Sequence, residues 1–221
     1  MAYQWSFHFL WQYQPLIWKG IGVTIGFTLL TIILGLLIGT LVALGRMTGR
    51  RLISAPLVAL VELFRCTPVL VQLIWVYYAL PVLAGVELSP SEAAIITLGL
   101  YGGAFYAEII RGGIVSIEQG QWDAGRALGL RHFNLMRRVI LPQALRRMLP
   151  PLVNQSILQL KNTSLVSVLA VPDILYQGQL ITSATYRPLE CYTMVAVVYF
   201  LILYPLTHFA TRLERSLAVG A

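Results

Sequence analysis

The residues with the greatest capacity for chemistry lie in one polar segment, residues 108–147, of an otherwise apolar chain. The segment holds seven arginines and three acids. The arginines are Arg111, Arg126, Arg131, Arg137, Arg138, Arg146 and Arg147, and the acids are Glu108, Glu118 and Asp123. Lysine and arginine bias a loop between apolar runs toward retention in the cytoplasm. A loop of 40 residues is too long for a turn, so we expect it to fold and to have a function on that side.

A second polar run interrupts the apolar part of the chain at residues 154–164, and it includes a lysine. A lysine near the middle of a membrane helix costs roughly 2.5–3.5 kcal/mol on insertion scales. The run is therefore expected to face a water-filled cavity, a partner or the path of a solute. The candidate path residues are Gln155, Gln159, Lys161, Asn162, Thr163 and Ser164, together with Gly102 and Gly103. For Lys161 we favour the alternative that its ammonium bonds helix-end carbonyls or Glu62.

The chain carries no signature of catalysis. Neither of its two lysines, Lys19 and Lys161, lies in a phosphate-binding G-x-x-x-x-G-K-[ST] loop. No histidine begins a zinc-binding H-E-x-x-H motif, and no serine lies in G-x-S-x-G. We therefore expect no catalytic residue, no metal site and no cofactor in this chain.

The composition makes lipid the solvent for most of the chain. Of 221 residues, 57% are hydrophobic and 11% are charged, whereas soluble domains carry about 25% charged residues. The net charge of +7 does not indicate nucleic-acid binding, because most basic residues lie at the ends of apolar runs. The first 18 residues lack lysine and arginine, so we expect no cleavable signal peptide. We expect Cys66 and Cys191 to be unpaired and buried.

Five apolar runs can cross a hydrocarbon core about 30 Å thick. They are residues 20–45, 66–86, 93–107 (which can extend to residue 110), 148–172 and 191–211. Two pairs of glycines in the first run, Gly22-x-x-x-Gly26 and Gly35-x-x-x-Gly39, permit close helix packing. Residues 172–190 are expected to form a loop. The sequence thus predicts an all-α, polytopic membrane protein with five transmembrane helices.

The basic residues predict the orientation of these spans. Twelve arginines fall in segments assigned to the cytoplasm, whereas Lys19 and Arg187 fall outside. The twelve are Arg46, Arg50, Arg51, the seven arginines of residues 108–147, Arg212 and Arg215. The N-terminus is therefore predicted outside and the C-terminus in the cytoplasm. The predicted parts are an interfacial segment (1–19), a membrane domain (20–215) that includes the loop 108–147, and a tail (216–221).

Local signals predict a helical hairpin inside the polar loop. Residues 122–128 can form two helical turns, and Gly129 suits the left-handed position that ends a helix. Trp122 and Leu128 give this helix apolar contacts for a groove on another protein. Arg126 and Arg131 are expected at the rim of that contact. The alternative, a loop bound only to anionic lipid, would not require the glycine.

A second helix is predicted at residues 132–140. The spacing of Phe133, Met136 and Ile140 places these three side chains on one helix face. Pro142 is expected to break or kink this helix near the membrane.

The segment Gln121-Trp122-Asp123-Ala124-Gly125-Arg126-Ala127-Leu128-Gly129, followed by Ile140-Leu141-Pro142, resembles the EAA loop of bacterial ABC importer membrane subunits. The blocks ELFRCTPVLVQL, EIIRGGI, VILPQALRRMLPPLVNQ and LKNTSLVSVLAV resemble the polar amino-acid permease branch, so the resemblance covers residues 15–215. The family most often has Glu-Ala-Ala where this chain has Asp-Ala-Gly. Gly125 should weaken the helix by about 1 kcal/mol, and it either permits closer approach to the partner or is simply tolerated.

The resemblance implies the permease of a type I importer in the bacterial cytoplasmic (inner) membrane, which moves polar amino acids. The residues it implies for coupling to the ATPase are Trp122, Asp123, Ala124, Gly125, Arg126, Leu128, Gly129, Ile140 and Pro142. The implied partners are an ABC ATPase dimer, an extracytoplasmic amino-acid-binding protein and a second permease, identical or a sister subunit. ATP and magnesium would bind in the ATPase.

Glu62, Arg65 and Glu108 are candidates for gates or ion pairs. Glu62 and Arg65 are three residues apart and are expected to pair at the cytoplasmic membrane edge.

The fourth span holds no carboxylate, which favours a neutral or acidic amino acid as the solute. The alternative function is an ATPase-independent secondary transporter or channel for small polar solutes, but the chain lacks the internal repeat and mid-span acids that such proteins usually have. An interaction-only scaffold would not explain Lys161.

Overall fold

Backbone hydrogen bonding decides which element an apolar chain forms in lipid. No water bonds an exposed N–H or C=O group there, so a span must satisfy its backbone internally as a helix. The computed structural model describes residues 3–218, and in this range it contains helices and no strand. The α-helices are α1 (Gln14–Arg46), α2 (Arg51–Cys66), α3 (Val69–Ala84), α4 (Pro90–Val115), α5 (Gln119–Ala127), α6 (His132–Leu135), α7 (Leu141–Asn162), α8 (Ile174–Thr185) and α9 (Pro188–Ala218). The predicted all-α class is confirmed.

Five membrane spans result when each bent helix pair counts as one span. The helices α1, α4 and α9 are long and apolar enough to cross a membrane alone. The pair α2 and α3 is bent by 109°, and the helical segment His132–Leu169 is bent by 44° from α8. The predicted number of spans is therefore confirmed, but the second and fourth spans are broken rather than continuous.

The second span breaks at Thr67, the residue before Pro68. A proline disfavours the helical conformation of the residue before it, and Thr67 is extended at φ −113° and ψ 142°. The Gln72 side-chain amide then donates to the carbonyls of Phe64 at 2.9 Å and Thr67 at 3.0 Å. These bonds satisfy the carbonyls that the end of α2 leaves free. The amphipathic helix α2 was not predicted.

The expectation of a loop at residues 172–190 is wrong, because α8 lies there. Asp173 caps this helix: its carboxylate accepts from the Tyr176 N–H at 2.8 Å and from the Tyr199 hydroxyl at 3.3 Å. An aspartate at this position supplies the acceptor that a helix N-terminus needs. The Asp173 side chain, which falls within the expected loop, is fully buried.

The helices α1 and α4 pack closely through glycine. A Cβ on Gly39 would lie 2.7 Å from the Tyr106 Cβ and 2.9 Å from the Ala107 nitrogen. The predicted close packing of Gly35 and Gly39 is confirmed. It is not found for Gly22-x-x-x-Gly26, because a Cβ at either glycine would have no neighbour within 4 Å among the described residues.

The first described residues fold back onto the beginning of α9. The buried Glu190 carboxylate accepts from the Tyr3 hydroxyl, from the Ser6 N–H at 3.2 Å and from the Arg187 guanidinium at 3.1 Å. The hydrogen bond from Tyr3 to this carboxylate raises the pKa of Tyr3.

The predicted boundaries between the parts of the chain fall inside helices. Residues 14–19 already belong to α1, and residues 216–218 still belong to α9. Residues 1–2 and 219–221 of the predicted end segments lie outside the described range, and the division itself stays a prediction. Both cysteines are unpaired, but Cys66 at the end of α2 is exposed, and only Cys191 is buried as expected.

Candidate functional site

A capped helix forms the tip of the polar loop. The helix α5 begins three residues earlier than predicted and ends at Ala127, two residues before Gly129, which has φ +72°. The Leu130 N–H donates to the Gly125 carbonyl at 3.1 Å, and the Gly129 N–H donates to the Arg126 carbonyl at 2.9 Å. This pair of bonds is a Schellman motif, which satisfies the last carbonyls of a helix. The predicted role of Gly129 as a helix cap is confirmed.

The underside of α5 packs onto the rest of the loop. A Cβ on Gly125 would lie inside van der Waals contact with Leu135 Cδ1 and 3.4 Å from Leu135 Cγ. Gly125 thus permits a close approach within this chain, to α6. Leu135 belongs to a buried cluster that joins α4, α6 and α7, with Ile114, Ile117, Ile140, Ala144 and Met148. The cluster packs the hairpin (α5 and α6) together with its two roots, the end of α4 and the beginning of α7.

Two side chains of the loop do not lie where the sequence placed them. Trp122 is half-buried, packs against this cluster and stacks on His132 with ring centroids 6.5 Å apart. It therefore stabilises the hairpin, while the rest of its side chain stays exposed. Phe133 is 70% exposed and does not share the buried face of Ile140. The helix geometry changes at Met136, which shifts the face predicted from a regular spacing.

The outer surface of α5 is exposed in the part of the chain that the structure describes. Leu128 is 79% exposed, and Ala124 is exposed beside it. Asp123 and Arg126 form an exposed ion pair at 3.4 Å. This surface combines one apolar side chain with a carboxylate and a guanidinium, which is suitable for a protein partner.

Pro142 does not break the helix, which was one of the two outcomes expected, and the kink stays a prediction. Residues Met136–Ile140 form a π-turn, and α7 follows directly with Pro142 in its first turn. In a regular α-helix the proline ring would clash with the carbonyl four residues earlier, and the wider turn avoids this clash. The Gln143 amide bonds the Val139 carbonyl at 3.0 Å and the Gln121 side chain at 3.2 Å, which ties α7 to α5.

The roots of the hairpin are fixed by charged side chains. Arg147 of α7 donates to the Ser116 carbonyl at the end of α4. The Glu108 carboxylate pairs with Arg46 at the end of α1 and with Arg111 at 2.9 Å. Glu108, predicted as a gate or ion-pair residue, therefore forms ion pairs.

Several candidate path residues lie in helix contacts. Gln159 is fully buried, and its amide donates to the Leu98 carbonyl of α4 at 2.7 Å. Gly102 allows this approach, since its Cβ would lie 3.2 Å from the Gln159 oxygen. Gly103 instead meets Ile38 of α1, where a Cβ would lie 2.7 Å from the Ile38 Cγ2. Gln155 and Thr163 are also buried.

The remaining path candidates are accessible. Lys161 is exposed, and Asn162 and Ser164 are half-buried. Lys161 does not pair with Glu62, which was one of the two kinds of partner expected for its ammonium. Glu62 pairs with Arg65 at 3.3 Å, and no carboxylate in residues 3–218 lies within ion-pair distance of the Lys161 ammonium.

The Glu62–Arg65 pair lies beside α4. The Arg65 guanidinium lies 5.8 Å from the centre of the Phe105 ring, and Phe105 is in the middle part of the 26-residue α4. Leu98, Gly102 and Phe105 recur at helical spacing and so share one face of α4. Arg65 and the segment of α7 around Gln159 therefore both border this face of α4. We call the side of the protein that carries these two polar side chains the polar face.

The structural roles of Gln72, Asp173 and Glu190 were not predicted from the sequence. Each is buried and organises a helix end or a chain crossing. Asp173 is a residue type preferred at helix N-caps and so was an available signal, whereas the partners of Gln72 and Glu190 are set by the packing of distant segments.

Five helical spans with one polar face and one projecting hairpin are the architecture of a membrane permease. The family described as "Binding-protein-dependent transport system inner membrane component" matches residues 32–219, and the chain belongs to this family. The predicted resemblance to ABC importer permeases is thereby confirmed.

Relatives match almost the whole chain. The glutamine transport system permease protein GlnP of Escherichia coli (strain K12) is 39% identical over 220 residues, which is 99% of this chain and 100% of that protein. The probable amino-acid ABC transporter permease protein YckA of Bacillus subtilis (strain 168) is 34% identical over 204 residues, covering 92% of this chain and 90% of that one.

Solved structures agree with the fold. A crystal structure of an amino acid ABC transporter with histidines matches with a TM-score of 0.91 and 34% identity, over 97% of this chain and 100% of that chain. An inward-facing MetNI methionine ABC transporter matches with a TM-score of 0.76 and 21% identity, over 96% and 99% of the two chains. The second likeness concerns the fold alone. The type I importer permease fold predicted from the resemblance is confirmed.

Proposed function

We propose that this chain is the permease subunit of an ABC importer for polar amino acids, with glutamine as the first solute to test. The observation that carries the proposal is the glycine-capped helix α5, which is packed rigidly on α4 and α7 while its outer surface stays free. The names of the relatives GlnP and YckA support an amino-acid solute. The lack of a carboxylate in the fourth span favours a neutral or acidic amino acid.

The proposed partners follow from the family to which the chain belongs and from its relatives. The chain holds no nucleotide-binding motif, so ATP and magnesium bind in an ATPase dimer and the chain itself is non-catalytic. An extracytoplasmic amino-acid-binding protein delivers the solute. A second permease, identical or a sister subunit, completes the path. The assembly lies in the bacterial cytoplasmic membrane, with the N-terminus outside and the arginine-rich hairpin inside.

The coupling step is a movement of α5. ATP binding draws the two ATPase subunits together, and each α5 moves with the subunit on which Asp123, Ala124, Arg126 and Leu128 dock. Since α5, α6 and the roots of α4 and α7 share one buried cluster, the movement reaches the spans without loss in a flexible loop. The partner thus biases the permease between outward-open and inward-open states.

The solute path borders the polar face. Exposed charges in a membrane are costly unless they meet water, a partner or each other. Glu62 and Arg65 are exposed in the isolated chain, so this side faces the second permease and the wet path between the two subunits. Gln155, Gln159, Thr163, Gly102 and Gly103 support that side from inside the helix bundle.

The proposal is tested by co-purification from detergent. Wild type, Asp123→Arg and Leu128→Asp are compared with Glu87→Arg, a charge reversal at an exposed residue between α3 and α4. Wild type and Glu87→Arg should retain the ATPase, whereas both α5 variants should lose it. Retention by all four proteins would refute docking through α5.

Uptake by proteoliposomes tests the transport step. The complex should take up labelled glutamine only with ATP inside and the binding protein outside. Uptake by the purified chain alone, without ATPase or ATP, would instead establish the secondary-transporter alternative.

A further inference from the structure

Glu108 lies where α4 leaves the membrane domain and approaches the hairpin. Its carboxylate pairs with Arg46, the last residue of α1. It also accepts from Arg111, on its own helix, at 2.9 and 3.3 Å. The carboxylate therefore links two helices that are separated in the sequence by α2 and α3.

The link between α1 and α4 is shielded from water. The side chains of Arg46 and Glu108 are 9% and 18% exposed, and the Arg46 Nε is buried without a partner in residues 3–218. Charges removed from water attract strongly, and each becomes costly when its partner is withdrawn. Sliding α1 away from α4 at this end would separate the pair, so the pair resists that motion.

The hairpin itself does not hold α1. The buried cluster beneath α5 is built from α4, α6, α7 and the segments that join them, and α1 contributes no residue to it. A displacement of α5 is thus passed to α4 and α7 directly. It reaches α1 through the contacts of α1 with α4 and α7, and the ion pair joins the last residue of α1 to Glu108, where the polar segment 108–147 begins.

On the basis of the proposed function, we infer that Glu108 is a positioning residue that makes α1 move with α4 when the ATPase displaces the hairpin. Without the pair, α4 follows the ATPase while α1 lags behind it. ATP hydrolysis then continues, but fewer cycles open the path fully, so less amino acid is imported for each ATP.

The experiment measures ATP hydrolysis and glutamine uptake in the same proteoliposomes, with the ATPase and the binding protein present. Glu108→Gln and Arg46→Gln are expected to lower the uptake per ATP by about fivefold or more, the size of a typical coupling between sites, with hydrolysis and the KM for glutamine little changed. Arg50→Gln is the matched control, since Arg50 is exposed, makes no ion pair within the described residues and carries the same charge. It should keep the wild-type ratio.

Two further variants separate coupling from folding. Arg111→Gln leaves the link between α1 and α4 in place and should keep most of the ratio. Exchange of the two charges, Arg46→Glu with Glu108→Arg, should recover part of the lost ratio. A wild-type ratio in assembled Glu108→Gln and Arg46→Gln complexes would overturn the inference alone, whereas a wild-type complex without ATP-driven uptake would overturn the proposed function and the inference with it.

Discussion

The substitution Gly125→Ala restores the residue that the EAA loop most often has, and yet it should destabilise this protein. On helix propensity alone, alanine in α5 would gain about 1 kcal/mol over glycine. The Cβ, however, would lie inside van der Waals contact with Leu135 Cδ1. Leu135 is 1% exposed within the cluster beneath α5, so its side chain has little space to move.

The two effects can be weighed against each other. Overpacking a filled core costs about 1–3 kcal/mol. After the gain in helix propensity, Gly125→Ala should destabilise the hairpin by up to about 2 kcal/mol. Gly120→Ala is the matched control, because Gly120 lies in the same helix and its Cβ would have no neighbour within 4 Å. This control should be stabilised by up to about 1 kcal/mol.

The assay is thermal unfolding of the detergent-solubilised chain, supported by hydrogen exchange of the α5 amides. A double variant, Gly125→Ala with Leu135→Ala, tests the cause. The second substitution makes a cavity and costs about 2–5 kcal/mol alone, but the two changes together should cost less than their sum, because the new methyl group enters that cavity. If Gly125→Ala unfolds at the same temperature as Gly120→Ala, or the two costs simply add, the packing argument is refuted.

Three further predictions concern the membrane domain, each measured by thermal unfolding in detergent. Gly39→Ala should destabilise the protein by about 1–3 kcal/mol, because its Cβ would clash with backbone atoms of α4, which cannot move aside as a side chain can. Gly26→Ala is the control and should not destabilise, since its Cβ would have no neighbour within 4 Å, and equal melting temperatures would contradict the prediction. Asp173→Ala should cost about 2 kcal/mol through loss of the α8 cap, and Asp173→Asn should recover much of it; no recovery would argue against capping. Gln72→Leu should cost about 1–3 kcal/mol by leaving carbonyls at the α2–α3 bend unbonded, and a neutral effect would show that water or lipid replaces the amide.

Fold class and the main site could be predicted from the sequence because their signals are local. A long apolar run satisfies its own backbone in lipid by forming a helix, and so the five spans could be predicted. Gly129 marks the end of α5 because glycine adopts the left-handed conformation at little cost. The spacing from Gly129 to Pro142 identified the loop and, through the resemblance, the family.

Breaks in the spans and the pairing of charges were decided by tertiary structure. Charge-free length does not show that Thr67 ends a helix or that Asp173 begins one, because the carbonyls and N–H groups freed there are satisfied by side chains such as Gln72 and Asp173 itself. Glu62 pairs with Arg65 because the two are neighbours on one helix, which the sequence predicted. Glu108 meets Arg46 only because two glycines bring α1 against α4, and no local pattern encodes a contact between residues 62 positions apart.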